Sequence, residues 1–556
     1  MKSLPCAAVL AAMVTFAPAT AKWLEVDSEH FRVVSDATPT KLAEIVQSLD
    51  AFRAVVAKST SGLALSREQR LTFYVFKNDA SFDPFKTRPD LLGFFAPTPE
   101  RQIAALNATP PQNVGYARQF KSFEFPYMPV FHEYTQALLR DTFESLPAWV
   151  EEGMAEYFST FWYQGKKAEV GHASRMRMPE LANGFPIPLQ KLVERRNFDG
   201  LNPTAVDAAY AESWIVVHTL MRGSPERRKQ FSAFLTELLA GTRQSEAFAK
   251  AFGISWSQLE AEALAHLKEQ RFEIVVYPVD QLGLNPVPEP VEIDPRQVDD
   301  ELGELVALTR TDRLEVAEAH FEAALAAEPK DARALAGLGL VAESRKKPDG
   351  AVELYQKALA IDPEDPITHF RFGRNLMVGT AKSLTPLPPT APMPARISDA
   401  RSHLLAALLA RPDLDDATYL YGLTFLSDPG DRSSGIASLR AHLQARPGSW
   451  DTAEALGLLL LWSGDEEGAL KLLDSRAGLH ANVERVGEYR KTVFTALKLT
   501  VRTRADKDGP AAASAWVSGL LASTQDEPAR AAPELDHETR RGRGAAEPVV
   551  ALNGGR

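Results

Sequence analysis

Cysteine is nearly absent: the 556-residue chain holds one, Cys6. A lone thiol closes no disulfide within the chain and builds no sulfur-rich zinc cage. If the leader that contains it is removed, no cysteine nucleophile is left, and any metal must be held by His, Glu, Asp or amide oxygen. Positive charge is also in deficit. With 62 Lys and Arg against 73 Asp and Glu the formal charge is −11, which argues against nucleic acid or an anionic membrane as the main partner. Neither a glycine-rich phosphate loop nor a long basic patch occurs. No membrane span is expected in the mature chain. What is present is ordinary for a globular protein, 45% apolar and 24% charged residues. The length exceeds one hydrophobic core and implies two or three domains.

The first residues read as a leader. Lys2 precedes an apolar run from Cys6 to Phe16, and Ala19-Thr20-Ala21 forms a small-x-small cleavage site before Lys22. The run is too short to cross a bilayer, and this order of parts is that of a secretory signal peptide. A periplasmic or secreted location is expected, with cleavage after Ala21.

Beyond the leader, Phe31-Arg32-Val33-Val34 has strand character. Pro39 opens a helix with Leu42, Ile45, Val46, Leu49, Phe52 and Val56 on one face. Leu71–Phe76 is β-rich and alternating, and Gln102–Leu106 makes another short strand. Helices are predicted near Pro126–Arg140, Pro147–Phe161, Val206–Met221, Pro225–Leu239, Gln244–Phe252 and Trp256–Arg271. Five prolines between Tyr277 and Arg296 then suggest a linker with few contacts across it. The chain is thus expected to divide into a signal peptide (1–21), an α+β front domain (22–275), a proline-rich linker (276–298), a helical repeat region that folds independently (299–499), and a C-terminal helix with a disordered tail (500–556).

The repeat is explicit. Ala317, Phe321, Ala324, Leu325 and Pro329 recur as Ala351, Tyr355, Ala358, Leu359 and Pro363, each shifted by 34 residues. That period, with small residues where helices pack and a proline after the second helix, resembles the tetratricopeptide repeat. A generic helical bundle would not keep five positions in register. Pro412 and Pro447 close further units, a proline-rich insertion at Ser383–Pro394 separates the second from the third, and a weaker unit surrounds Trp450–Leu473. Protein or peptide partners are expected along such repeats.

Two runs carry the candidate chemistry: His132-Glu133-Tyr134-Thr135-Gln136, and Glu151-Glu152-Gly153-Met154-Ala155-Glu156 downstream. The first reads as the zinc-protease pattern His-Glu-x-x-His with its last histidine replaced by glutamine. Residues i and i+4 share a helix face, so two histidines so placed can bind one metal while the glutamate between them activates water. A His-Glu pair alone is weak, since His537-Glu538 recurs in the expected disordered tail. Context raises the first copy. The Leu146-Pro147 turn sets the next helix antiparallel, bringing Glu152 within metal-ligand reach, and Glu156 one turn further can orient a metal-bound histidine.

The run FHEYTQALLRDTFESLPAWVEEGMAEYFS resembles the gluzincin metallopeptidases, specifically the peptidase MA-like domains of exported bacterial proteins. More loosely the likeness extends from Trp23 to Arg271, including Tyr210-Ala211-Glu212-Ser213-Trp214. It implies an α+β gluzincin-like domain followed by an all-α tetratricopeptide-repeat solenoid. By this resemblance His132 and the residue at 136 would be zinc ligands, Glu133 the general base, Glu152 the third ligand and Glu156 its second-shell partner. Tyr210 would stand where some members keep an oxyanion-binding tyrosine, or would simply pack. Gln136 is the departure: an amide oxygen is neutral and less basic than imidazole, and zinc prefers nitrogen here. His172 and His218 are candidate substitutes, His218 the better placed, beside the alternative that both are ordinary histidines.

Two functions therefore compete. One is an exported zinc metallopeptidase, a hydrolase using metal-activated water with the repeats as a docking arm. The other is an inactive peptidase fold that binds envelope proteins or peptides without cleaving them. The leader generates the first prediction: N-terminal sequencing of protein recovered from the cell envelope should begin at Lys22. An intact Met1 in a cytosolic fraction would remove the case for export.

Overall fold

The computed structural model describes residues 22–60, 70–86, 91, 93–109, 127–143, 146–195, 197–240, 242–378, 391–430, 432–446, 449–477, 509–512 and 515. The expected signal peptide and nearly all of the expected C-terminal tail lie outside these residues. In chain order the front half contains β1 (Leu24–Asp27), β2 (Phe31–Ser35), α1 (Pro39–Ser59), β3 (Leu71–Phe76), a short α2 (Asp79–Phe82), β4 (Gly93–Pro97) and β5 (Gln102–Asn107). There follow α3 (Met128–Thr142), α4 (Ala148–Ser159), β6 (Trp162–Tyr163), β7 (Lys167–Val170), α5 (Leu189–Val193), α6 (Pro203–Arg222), α7 (Pro225–Leu239), α8 (Gln244–Phe252), α9 (Trp256–Glu269), β8 (Val275–Pro278) and β9 (Val291–Glu292).

The helical half runs through α10 (Pro295–Thr309), α11 (Leu314–Ala327), α12 (Ala332–Ser344), α13 (Pro348–Ile361), α14 (Pro366–Met377), α15 (Ala395–Ala410), α16 (Asp415–Thr424), α17 (Ser433–Ala445), α18 (Trp450–Trp462) and α19 (Glu466–Ala477). An α+β front and helical hairpins behind it were both legible from periodicity. Of the expected insertion at 383–394, residues 383–390 lie outside the described residues.

Six strands form one mixed sheet in the order β4-β5-β3-β2-β1-β9. β2, β3 and β5 are parallel, while β4, β1 and β9 pair antiparallel at the flanks. β3 is buried along its whole length. Successive side chains of a strand point to opposite faces, so full burial requires a cover on each. Phe73 and Val75 share a core with Leu42, Val46, Leu49 and Phe52 of α1 and with Phe131 of α3. Tyr74 and Phe76 share another core with Val298, Leu302 and Leu305 of α10 and with Phe321 of α11.

The second core departs from the expected organisation. The stretch 276–298 is no spacer: β8 pairs with β7, β9 pairs with β1, and α10 begins at Pro295 directly on the sheet. Prolines are tolerated at strand ends and edges, where no ladder hydrogen bond is lost, so a proline-rich run can lie along a domain. The repeats accordingly share a core with the front half, against the expectation that few contacts would cross.

Within the hairpins the 34-residue register has a packing cause. A methyl at Gly303 or Gly337 would collide with the Phe321 ring, and one at Gly339 with Tyr355. Each aromatic of a second helix therefore lies on bare backbone of the neighbouring first helices.

Charge crosses the same junction. Glu301 of α10 accepts from Arg32 at 2.7 Å and from the Tyr74 hydroxyl at 2.7 Å. Glu304 accepts from Arg101 at 2.8 Å, Arg333 at 2.6 Å and Arg371 at 3.0 Å. Arg371 also grips Glu100 through two bonds of 2.9 and 2.7 Å. Glu100, Glu301, Glu304 and Arg371 are all buried. Burial alone would raise the glutamates. Arg333 and Arg101, joined by Arg32 at Glu301 and by Arg371 at Glu304, outweigh it and hold Glu301 at about 2 and Glu304 well below the usual range.

Removing one partner of a buried pair leaves an uncompensated charge, which costs about 3–5 kcal/mol. Arg371→Met should lower stability by that order, read as a lower midpoint of one unfolding transition shared by both halves. Carboxylates with depressed values stabilise the fold fully above their unfolded value of 4.5. That contribution should vanish as pH falls from there toward about 2. Two separate transitions, with the variant indistinguishable from the parent, would refute the coupling.

Candidate functional site

The first motif lies on α3 and the second on α4. Phe131, Tyr134 and Leu138 of α3 belong to the core under the sheet, where Phe131 stacks on Phe52 with ring centroids 4.3 Å apart. That orientation turns His132 and Gln136, one turn apart, toward α4. On α4, Trp149, Val150, Met154 and Phe158 are buried, and Gly153 meets the backbone of Ser213 on α6 so closely that a methyl would collide with its carbonyl. A larger residue at 153 would push away α6, the helix carrying Tyr210.

His132, Gln136, Glu152 and Glu156 converge. His132 Nε2 lies 3.2 Å from Glu152 Oε2. The Gln136 amide donates to Glu152 Oε2 at 2.9 Å and stands 3.3 Å from His132 Nε2. On the other side of the ring, His132 Nδ1 is 3.4 Å from Glu156 Oε1, an ion-pair contact without hydrogen-bond geometry. His132, Gln136 and Glu156 are buried, and Glu133 and Glu152 are half-buried. Burial opposes a charged His132. The bond to Glu152 and the charges of Glu156, Glu152 and Glu133 outweigh that and raise the imidazole to about 9.

Glu156 is held from behind by Arg177, which the sequence did not reveal. Its guanidinium makes two bonds to the carboxylate, of 2.8 and 3.1 Å, and a third to Asp207 at 3.3 Å. Burial would raise Glu156, but Arg177 and then His132 overcome it and lower the carboxyl. Arg177 sits in a loop without periodicity, so no pattern announces it. The one available signal was chemical: a glutamate on the buried face of α4 needs a cation.

Tyr210 of α6 reaches the same place. Its ring lies 4.9 Å from the Arg177 guanidinium carbon, with His132 at 6.2 Å and Phe198 at 5.5 Å between centroids. Burial, then Glu152 and Glu156, push its hydroxyl far above the ordinary value, so it stays a protonated donor. The suggested substitutes are engaged elsewhere. His172 pairs with Glu169 at 3.3 Å. His218 has both ring nitrogens in use, Nδ1 toward His266 and Nε2 toward the Gly171 carbonyl, each at 2.9 Å. It therefore supplies no replacement ligand at Gln136.

Zinc bound at about 2.0–2.1 Å by nitrogen and oxygen sets tetrahedral ligands roughly 3.3–3.4 Å apart. The His132–Glu152 separation of 3.2 Å is close to that edge. Gln136 breaks the set. It presents N–H, which has no lone pair for a metal, and its hydrogen already lies on the carboxylate that would be the third ligand. In this arrangement the residues do not fit a three-ligand zinc site. Among the described residues no group of three or more His, Cys, Asp or Glu is placed to hold a metal.

A second concave feature lies far along the chain. An open groove of about 460 Å³ between α17, α18 and α19 is lined by Leu443, Leu456, Leu460 and Leu472, with Arg440 and Lys471 also on its wall.

Residues 306–366 match the tetratricopeptide repeat family. The chain carries that repeat, a module that generally binds protein or peptide partners. No curated protein matches the chain. Among solved structures, pilF of Pseudomonas aeruginosa is 20% identical, covering 42% of this chain and 93% of its own, with a TM-score of 0.28. YrrB, described as a TPR protein with an unusual peptide-binding site, is 19% identical over 35% of this chain and 90% of its own, with a TM-score of 0.29. MamA of Desulfovibrio magneticus RS-1 is 17% identical over 36% and 97%, with a TM-score of 0.26. At these scores the likenesses carry no inference about function. No described helix is long and apolar enough to cross a membrane.

The Arg177–Glu156 pair generates a prediction. Arg177→Ala should destabilise the protein by about 3–5 kcal/mol by leaving the Glu156 carboxylate uncompensated. Adding Glu156→Gln removes that stranded charge and should recover part of the loss, a coupling readable by urea denaturation. Strictly additive effects of the two changes would mean that the pair does not interact in solution.

Proposed function

We propose that the chain is an exported, peptidase-like binding protein: a gluzincin-like front domain that no longer hydrolyses peptides, fused to tetratricopeptide repeats that dock protein or peptide partners. The observation that carries this reading is the 2.9 Å hydrogen bond from Gln136 to Glu152. It joins two positions that would both have to face a metal, and it satisfies the carboxylate without one. The buried His132–Glu156–Arg177 chain then serves as a rigid floor. The matched repeats and the apolar, cation-bearing groove on the last hairpins supply the docking arm. Export rests on the leader-like pattern of residues 1–21.

A second reading, a weakened zinc metallopeptidase, draws on the near-tetrahedral spacing of His132 and Glu152 and on Glu133 next to them. Under it Glu133 would be the base and Tyr210 the oxyanion donor.

One substitution separates the two. Gln136→His restores an imidazole one turn from His132, where its ring faces Glu152 without backbone movement. Zinc affinity, measured by chelator competition, should rise by about tenfold or more. The parent protein should leave a mixed peptide library intact with zinc present. Parent turnover abolished by Glu133→Gln would overturn the binding reading in favour of the enzyme. Unchanged zinc affinity in Gln136→His would mean that the front pocket is not a relic metal site.

A further inference from the structure

Away from that site, two histidines from adjacent helices face each other. His369 of α14 and His403 of α15 are 34 residues apart, with their Nδ1 atoms separated by 2.8 Å. The other nitrogen of His369, Nε2, lies 3.0 Å from the Pro363 carbonyl oxygen. A carbonyl only accepts, so that Nε2 carries the hydrogen, and a neutral His369 ring has its lone pair on Nδ1, aimed at His403. Metal-binding histidines are commonly oriented in this manner, by donating the far N–H to a backbone carbonyl. The His403 ring is held by Phe372, with centroids 4.2 Å apart. Both histidines are half-buried, so solvent reaches the pair.

We propose that His369 and His403 form a two-imidazole site for a borderline divalent cation, Zn²⁺, Ni²⁺ or Cu²⁺, that clips α14 to α15. Two nitrogens about 2.0–2.1 Å from one ion, at angles between a right angle and the tetrahedral value, lie roughly 2.9–3.4 Å apart. At the observed 2.8 Å His403 Nδ1 donates a hydrogen bond to His369 Nδ1, so the ion enters as His403 shifts its proton to Nε2 and the rings open slightly. The described residues offer no third His, Cys, Asp or Glu that completes a larger set, so water fills the remaining positions. Imidazole nitrogen selects these ions over Mg²⁺ and Ca²⁺.

The location gives the clip a purpose. In the first two hairpins the helices are joined by residues 310–313 and 345–347, whereas α14 and α15 are joined by the long stretch 378–394. An ion shared by His369 and His403, each nine residues from that stretch, ties α14 to α15 by a contact that does not depend on the connection between them. A similar pair, His218 and His266, lacks this setting, because His218 is fully buried and has Tyr157, Trp214 and Phe272 around its ring. Water could not complete a coordination sphere there.

The test is titration of the full-length protein with Zn²⁺ alone, then Ni²⁺ alone, against a chromophoric chelator. His369→Asn and His403→Asn should each weaken binding by at least about tenfold. His132→Ala should leave this binding in place, which separates the clip from any metal at α3. The ion should also raise the Tm of the parent and of His132→Ala, but not of the two α14–α15 variants. Binding equal in the parent and in the double variant, or none with either ion, would overturn the proposal. If the variants do not fold, histidine acylation of the parent with and without Zn²⁺, read by mass spectrometry, decides instead. Protection of His369 and His403 supports the clip, and unchanged labelling refutes it.

Discussion

Two glutamates one turn apart on α10, Glu301 and Glu304, face five arginine and tyrosine side chains drawn from two strands, the residue just before a third, and two repeat helices. Most of the molecule's architecture depends on that junction. Buried charges of this kind are weak evidence for stability, since a well-packed apolar set of the same volume often does better. Their strength lies in geometry. A planar guanidinium bonded at two edges tolerates little rotation, so Arg371 between Glu100 and Glu304 fixes α14 against the sheet in one register. The apolar core around Tyr74, Phe76, Leu302 and Leu305 supplies the adhesion, and the ions set the orientation.

The same sheet carries the candidate site on its opposite face. α3 sits on the side of β3 that shows Phe73 and Val75, while α10 sits on the side that shows Tyr74 and Phe76. The helices of the candidate site and the helical hairpins are therefore two coverings of one six-stranded layer. A partner held along the hairpins would be presented in a fixed relation to α3 and α4. That suits a binding protein, whose parts gain affinity when they need no ordering on contact.

The periodic parts of this arrangement could be read from the residues themselves. Leu42, Ile45, Val46, Leu49, Phe52 and Val56 mark α1 as amphipathic, and all six are buried. The α3 and α4 helices, strand β3 and the 34-residue register were equally plain. What escaped notice was made by distant partners. β4, β6, β8 and β9 are two to five residues long and owe their form to pairing rather than to composition. Arg371 meets a glutamate 271 residues away, and Arg177 answers a charge across a loop. Prolines between Tyr277 and Arg296 suggested separation because proline marks irregular chain. Whether that chain hangs free or lies along a sheet edge is decided by the neighbour and not by the proline.

Because α10 packs on the sheet, the array of hairpins has one end whose apolar face is covered by the front half. Repeat arrays ordinarily need a modified terminal unit with a polar outer face. Here a mixed sheet serves as that terminal plate, and it covers the buried residues of α10, Val298, Leu302 and Leu305 together with Glu301 and Glu304. The consequence is directional. Units inserted or lost between α10 and α14 would carry Arg371 and Arg374 out of line with Glu100. Beyond α14 no such alignment is described. A change in repeat number that keeps these ion pairs would have to fall beyond α14, leaving the length between the sheet and α14 fixed.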